Sequence, residues 1–194
     1  NVGAFTPATP TAADVNAAHL GHTFHNQWVL DPLFDARYPA DLFRLWPGAE
    51  PLVLDGDMET IARPLDFLGI NYYFRTSVRA DGHGGFADAP LEGVERTQMG
   101  WEVYPDGLRD LLIDFKRRYE RLPPIYITEN GMASDDRVEN GRVHDTQRIR
   151  YLERHLNAVD EAIRAGVQVD GYFVWSLMDN FEWASGYSKR FGIV

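Results

Sequence analysis

The 194-residue chain has no cysteine, which removes disulfides and thiolate metal ligation, although that absence fits a reducing or an oxidising compartment equally well. Positive charge is in deficit, with 19 Lys and Arg against 29 Asp and Glu, a formal charge of −10 and a pI near 5.0. That balance argues against a nucleic-acid backbone or an anionic membrane surface as partner, and a neutral ligand suits it better. No apolar run approaches the ~18 residues needed to span a bilayer, and no charged-then-apolar leader opens the chain. A cytoplasmic location is the expectation, although the chain starts at Asn1 rather than at methionine, so a leader would have to lie upstream. No phosphate loop is present either: the GHGG at 82–85 lacks the G-x-x-x-x-G-K pattern and leads into no helix.

What is present is an alternation of strands and helices. NVGAF reads as a short strand, and Thr11 with Asp14 as a cap-and-box pair opening a helix toward Trp28. LDFLGINYY reads as a second strand, followed by a helix over DGLRDLLIDFKRRY with Leu108, Leu111, Leu112, Phe115 and Tyr119 on one side and Pro105 at its start. PIYIT is a third strand. The clearest helix then runs from His144 or Asp145 to Ala165, where Ile149, Leu152, Leu156, Val159 and Ile163 recur every three or four residues and Gly166 supplies the stop. VQVDGYFVWSLMD follows as a strand expected to be buried on both faces of a parallel sheet. Two polar stretches after strands, RADGHGGFADAPLEGVERTQMG and MASDDRVENGRVHD, read as functional loops. Four βα repeats imply a parallel α/β architecture, barrel or open sheet. Because a (β/α)8 barrel needs about 250 residues or more, four repeats in this length suggest half of a large one. Both ends read as cut from a longer polypeptide.

Chemistry-bearing residues gather at strand ends, where parallel α/β proteins place their sites. Ile125, Ile127 and Glu129 share strand parity, so isoleucines filling a barrel interior would put Glu129 at its rim, before Asn130 and Gly131 turn the chain. Taken alone, Glu129 is more readily a solvated turn residue. Asn71 and Tyr73 in GINYYF offer an amide and a phenol at a second rim position, with a packing Tyr and a turn Asn as the plainer alternative. In VWSLMDNFEWASGYSKRFG, Trp175, Phe181, Trp183 and Phe191 accompany Asp179, Asn180 and Glu182. Aromatic faces beside carboxylates and amides suit a sugar, whose C–H faces stack on rings while its hydroxyls need charge-assisted partners; core packing would not interleave the acids. His19, His22 and His25 recur every third residue without any H-E-x-x-H pattern, so they read as surface or core histidines, and no metal or other cofactor is expected. The run DFKRRYER reads as a solvated helix face.

YITENG, GINYY, WEVYPDGL and WSLMDNFEWASGYSKRFG, with DPLF and YP near residue 35, together resemble glycoside hydrolase family 1, the retaining β-glucosidases. The resemblance runs the length of the chain and implies a (β/α)8 barrel of which strands five to eight are present, as the C-terminal half of a single glycosidase domain. It makes Glu129 the catalytic nucleophile, Tyr73 the phenol that hydrogen-bonds it, and Asn71 a neighbour of the sugar 2-hydroxyl. Trp175 would floor the glycone site, with a cis bond to Ser176. Glu182 would take the 4- and 6-hydroxyls, Trp183 and Phe191 would shape that subsite, and Trp101 would be the leaving-group platform. The family's acid lies in an Asn-Glu-Pro segment on strand four, which this chain lacks, so the N-terminal half of the same protein is an expected partner. The implied substrate is a β-glucoside or short β-linked oligosaccharide, as in cellulose breakdown. A carboxylate at Glu182 would repel a 6-phosphosugar, so an unphosphorylated β-glucoside is preferred, with β-galactosidase, β-fucoside or 6-phospho-β-glycosidase activity as alternatives and a non-catalytic sugar-binding member of the same fold as the rival from another class.

Overall fold

The structure is a computed structural model that describes residues 1–45, 47–48 and 52–194. The chain runs β1 (Ala4–Pro7), α1 (Ala12–His22), a π-helical turn at Thr23–Gln27, α2 (Trp28–Asp35), α3 (Ala40–Leu45), α4 (Asp57–Ile61), β2 (Leu68–Asn71), β3 (Arg75–Ala80) and β4 (Phe86–Asp88). It continues with α5 (Pro105–Arg118), β5 (Ile125–Asn130), the short hairpin β6 (Val138–Glu139) and β7 (Arg142–Val143), α6 (Thr146–Arg164) and β8 (Val169–Val174). Strands β2, β5 and β8 form a parallel sheet in that order. β1 pairs in parallel with β3 in a second sheet, and the Val2 amide just ahead of β1 donates to the Asn71 carbonyl at 3.0 Å, which sets the start of the chain beside the end of β2 in the same arc.

Helix α5 packs on one side of this arc because its apolar stripe matches it. Pro105 opens α5 at a position where its missing N–H costs nothing, and Lys116, Arg117 and Arg118 close the helix where its dipole favours cations. Between these ends Leu108, Leu112 and Phe115 are fully buried against Ile70, Ile125 and Ile127, as the sequence spacing predicts. Truncating Phe115 to alanine there would cost about 3–5 kcal/mol. Arg118 and the Tyr119 hydroxyl both donate to the buried Asp31 carboxylate, at 2.9–3.0 and 2.6 Å, which ties α5 to α2.

Several expectations are corrected. Ile125 and Ile127 face the helices, not a barrel interior, so their parity does not carry Glu129 to the inner face. A bulge does so: the register slips between Ile127 and Asn130, which puts Thr128 and Glu129 on the inner side while Asn130 returns to the buried outer side. Among the described residues β8 pairs with β5 alone, and Phe173 is 57% exposed, so in this half of the barrel the strand is not buried on both faces. On α6 the apolar stripe is only in part the packed face. Ile149, Leu156 and Ile163 are exposed, while Leu152 and Val159 of the stripe pack inward beside Arg148, Tyr151, His155, Ala158 and Ala162, with Arg148 and Tyr151 finding polar partners there. Thr11 caps α1 by accepting from the Asp14 amide, but the Asp14 carboxylate accepts from the Thr9 hydroxyl and the Ala80 amide instead of closing a box. The helical path continues past Trp28 to Asp35. The two polar stretches contain hairpins, β3 with β4 and β6 with β7.

Candidate active site

The inner face of the arc carries Phe67, Tyr126 and Phe173; the Tyr126 ring covers Gly171, where a Cβ would come within 2.4 Å of it. Above this face, at the carboxyl ends of β2 and β5, two polar pairs meet. The Thr128 hydroxyl donates to Asn71 Oδ1 at 2.6 Å, and the Tyr73 hydroxyl donates to Glu129 Oε2 at 2.7 Å. Both backbones are locked together, since the Tyr72 amide donates to the Glu129 carbonyl at 3.0 Å. Desolvation raises the Tyr73 pKa far above the usual tyrosine range, and the neighbouring charges of Glu129 and then Glu182 push it the same way. Tyr73 therefore stays a donor across the ordinary pH range.

The end of β8 joins from the other side. The Trp175 amide donates to the Asn130 carbonyl at 3.0 Å, and the Trp175–Ser176 peptide is cis, as the resemblance implies. The Trp175 carbonyl presses on Gly131, where any Cβ would lie 1.8 Å from it; only glycine fits that turn. Glu182 is half-buried and accepts from Asn180 Nδ2 at 2.9 Å, while its own amide donates to the Gly186 carbonyl.

Trp101 stands between Tyr73 and Phe74, with ring centroids at 5.2 and 5.3 Å, and Phe191 backs it at 6.1 Å. Its loop is anchored by the buried Arg75–Glu102 ion pair, with the Arg75 guanidinium 4.0 Å above the Tyr104 ring, and by Lys189, which donates to the Gln98 carbonyl at 2.7 Å. Of the residues singled out from sequence, Asn71, Tyr73, Glu129, Trp101 and Phe191 are brought into one contiguous cluster, with Trp175 joined to it through the Asn130 carbonyl and Glu182 held by Asn180 in the loop after β8. Trp183 is not: it is 85% exposed and its ring lies toward solvent. Phe191 is buried behind Trp101, its ring 6.1 Å from the indole. His22 sits near Asp114 and Asn26, His19 near Asp41 and His25 against Phe5. Among the described residues no three metal-ligating side chains gather. Thr128, Asn130, Tyr151 and Tyr172 were missed from sequence; their one signal was polar groups placed on strand and helix faces that needed partners.

The family model described as glycosyl hydrolase family 1 matches residues 1–194. The chain belongs to this family. Among curated relatives, β-glucosidase A of Acetivibrio thermocellus is 42% identical over 201 residues, covering all of this chain and 45% of the relative. A bifunctional β-D-glucosidase/β-D-fucosidase of Bifidobacterium breve is 44% identical over 202 residues, covering 93% of this chain and 44% of that protein. Among solved structures, the family 1 β-glucosidase of Thermotoga maritima in complex with isofagomine lactam superposes with a TM-score of 0.93 at 42% identity, covering 100% of this chain and 44% of that one. The chain thus spans somewhat under half the length of the family 1 proteins it matches, and its fold is half of a (β/α)8 barrel, as the four βα repeats predict.

Proposed function

We propose that the chain is the C-terminal half of a single-domain retaining β-glycosidase that removes terminal β-D-glucosyl residues through a covalent intermediate on Glu129. The observation that carries this reading is the 2.7 Å bond from a phenol to a half-buried carboxylate at adjacent strand ends, with Asn71 beside it. A nucleophilic carboxylate must be ionised and held with one oxygen free; Tyr73 occupies Oε2 and leaves Oε1 to attack. In the first step a Glu129 oxygen bonds to the anomeric carbon as the bond to the leaving oxygen breaks, and an acid protonates that oxygen. In the second, the same acid, now a base, takes a proton from the water that displaces Glu129. Retaining enzymes hold the two carboxyl groups about 5–5.5 Å apart. This chain contains no Asn-Glu-Pro segment, so the second carboxyl is supplied by the N-terminal half.

Glucose fits the other groups. Trp175 offers a ring for the sugar's C–H face, Glu182 a charged acceptor for its outer hydroxyls, and Trp101 with Phe74 an aromatic wall for the leaving group. The Glu182 carboxylate disfavours a phosphorylated sugar. A 2-deoxy-2-fluoro-β-glucoside carrying a good leaving group tests the assignment, because it stalls at the covalent stage. Peptide mass spectrometry of the complete protein should find the label on Glu129, and a label on any other residue would sink the proposal. The isolated chain should turn over no aryl β-glucoside, because it lacks the acid.

A further inference from the structure

Behind Glu129, on the helix side of the sheet, lies a buried polar network that no substrate could touch. Asn130 is fully buried, and its side chain is the hub. Its Nδ2 donates to the Tyr72 carbonyl at 2.6 Å and to the Tyr151 hydroxyl at 3.1 Å, and its Oδ1 accepts from the Tyr172 hydroxyl. The Tyr151 hydroxyl in turn donates to the Tyr73 carbonyl at 3.3 Å. One phenol on α6 therefore contacts the residue that follows the proposed nucleophile and the residue that hydrogen-bonds it. The Tyr151 ring is clamped from below: it stacks on His155 at 3.9 Å between centroids, tilted 30°, and its own carbonyl accepts from His155 Nδ1 at 2.8 Å. Both Tyr151 and His155 are buried to within 2%.

Packing alone does not call for this arrangement. A phenylalanine would fill the Tyr151 space, and burying a hydroxyl and an amide costs free energy unless each bond is made. The bulge explains the need. On the β8 side Thr128 and Glu129 leave the ladder between Ile127 and Asn130, while Glu129 still pairs with Asn71 of β2, so on that side the backbone at the nucleophile is held by what anchors Asn130.

We infer that Tyr151, acting through Asn130 and the Tyr73 carbonyl, is a positioning residue that sets the separation of Tyr73 and Glu129. It touches neither substrate nor the reacting atoms, and α6 thereby becomes part of the catalytic scaffold. The inference rests on Glu129 being the nucleophile.

The test is Tyr151→Phe in the complete protein, which keeps the ring and removes one oxygen. Misplacement by about 1 Å can cost on the order of 100-fold in rate. The expected result is a fall of about tenfold or more in kcat and in the rate of fluoroglucoside labelling, with KM within about twofold. If Tyr151 works through the Tyr73–Glu129 pair, adding Tyr151→Phe to Tyr73→Phe should cost much less than it does alone. Wild-type kcat in a folded Tyr151→Phe, or independent multiplicative losses in the double variant, would overturn the inference. Should Tyr151→Phe not fold, Tyr172→Phe removes another anchor of Asn130 and is read the same way. Labelling of the wild type is the separate check: wild-type protein labelled at Glu129 together with an unaltered Tyr151→Phe refutes the positioning role alone, and wild type labelled elsewhere refutes the nucleophile.

Discussion

Tyr73→Phe in the complete protein removes a single oxygen and leaves the ring in its contact with Trp101, 5.2 Å away. Two effects then oppose each other. Taking a donor from the Glu129 carboxylate makes its charge less stabilised, which by itself would make it a keener nucleophile. It also frees the carboxylate to rotate, so that the oxygen facing the anomeric carbon is no longer fixed. The Tyr73–Glu129 bond is short, at 2.7 Å, and charge-assisted, and such bonds contribute about 1.5–3 kcal/mol. If orientation dominates, as the anchoring of both backbones suggests, most of that is lost from the transition state. At 1.4 kcal/mol per tenfold the fall in kcat is roughly 10- to 150-fold. The assay is steady-state hydrolysis of an aryl β-glucoside from pH 6 to 10. Burial and the Glu129 and Glu182 charges hold the Tyr73 pKa far above this window, so the ratio of wild type to variant should stay constant across it. A rate equal to or above wild type would refute the orientation argument. A ratio that collapses toward one near pH 10 would show that the phenol ionises, and would refute the assigned environment.

Two further outcomes follow from buried geometry. Gly131→Ala places a Cβ 1.8 Å from the Trp175 carbonyl, and because the obstacle is backbone it cannot swing aside; a loss of at least about 2 kcal/mol in stability is expected, with activity lost alongside, and a variant of normal melting temperature would contradict the packing. His155 is buried, and desolvation depresses its pKa from 6.5 to about 4. The unfolded chain therefore binds a proton below pH 6.5 that the native state refuses until about pH 4, so this contribution is complete above pH 6.5 and is lost as pH falls through that window. At roughly 1.4 kcal/mol per unit it amounts to about 3 kcal/mol. Urea titrations at pH 4.5 and 7.5 should show His155→Phe losing less stability on acidification than wild type; equal losses would place the acid sensitivity elsewhere.

The sites of helices, strand ends and chemistry were readable because each depends on local rules. Pro105, the Leu108–Phe115 stripe and the stop at Gly166 need only the 3.6-residue period and the conformational freedom of glycine, whose φ at 166 is 94°. Which side of the sheet a residue faces was harder. The alternation rule holds for Ile125 and Ile127 and fails two residues later, because one bulge inverts it, and a bulge is stabilised by partners distant in sequence, here Tyr72, Tyr151 and Tyr172. The α6 stripe misled for a related reason. The 3.6 period identifies the helix but not the face that packs, and polar residues with partners on other segments, Arg148 with Asp136 and Tyr151 with Asn130, turn inward at the expense of Ile149 and Leu156.

By itself, then, the order of residues determined the alternation of strands and helices and the set of carboxylate, phenol, amide and indole groups at strand ends, since both arise from short-range periodicity and side-chain type. Only the tertiary structure decided that Glu129 faces Tyr73, that Phe191 backs Trp101 while Trp183 lies in solvent, and that Tyr151 reaches the same site from a helix. Those outcomes depend on contacts spanning from 21 to about 90 residues, where a hydrogen bond or a buried ring selects among backbone registers that are locally equivalent.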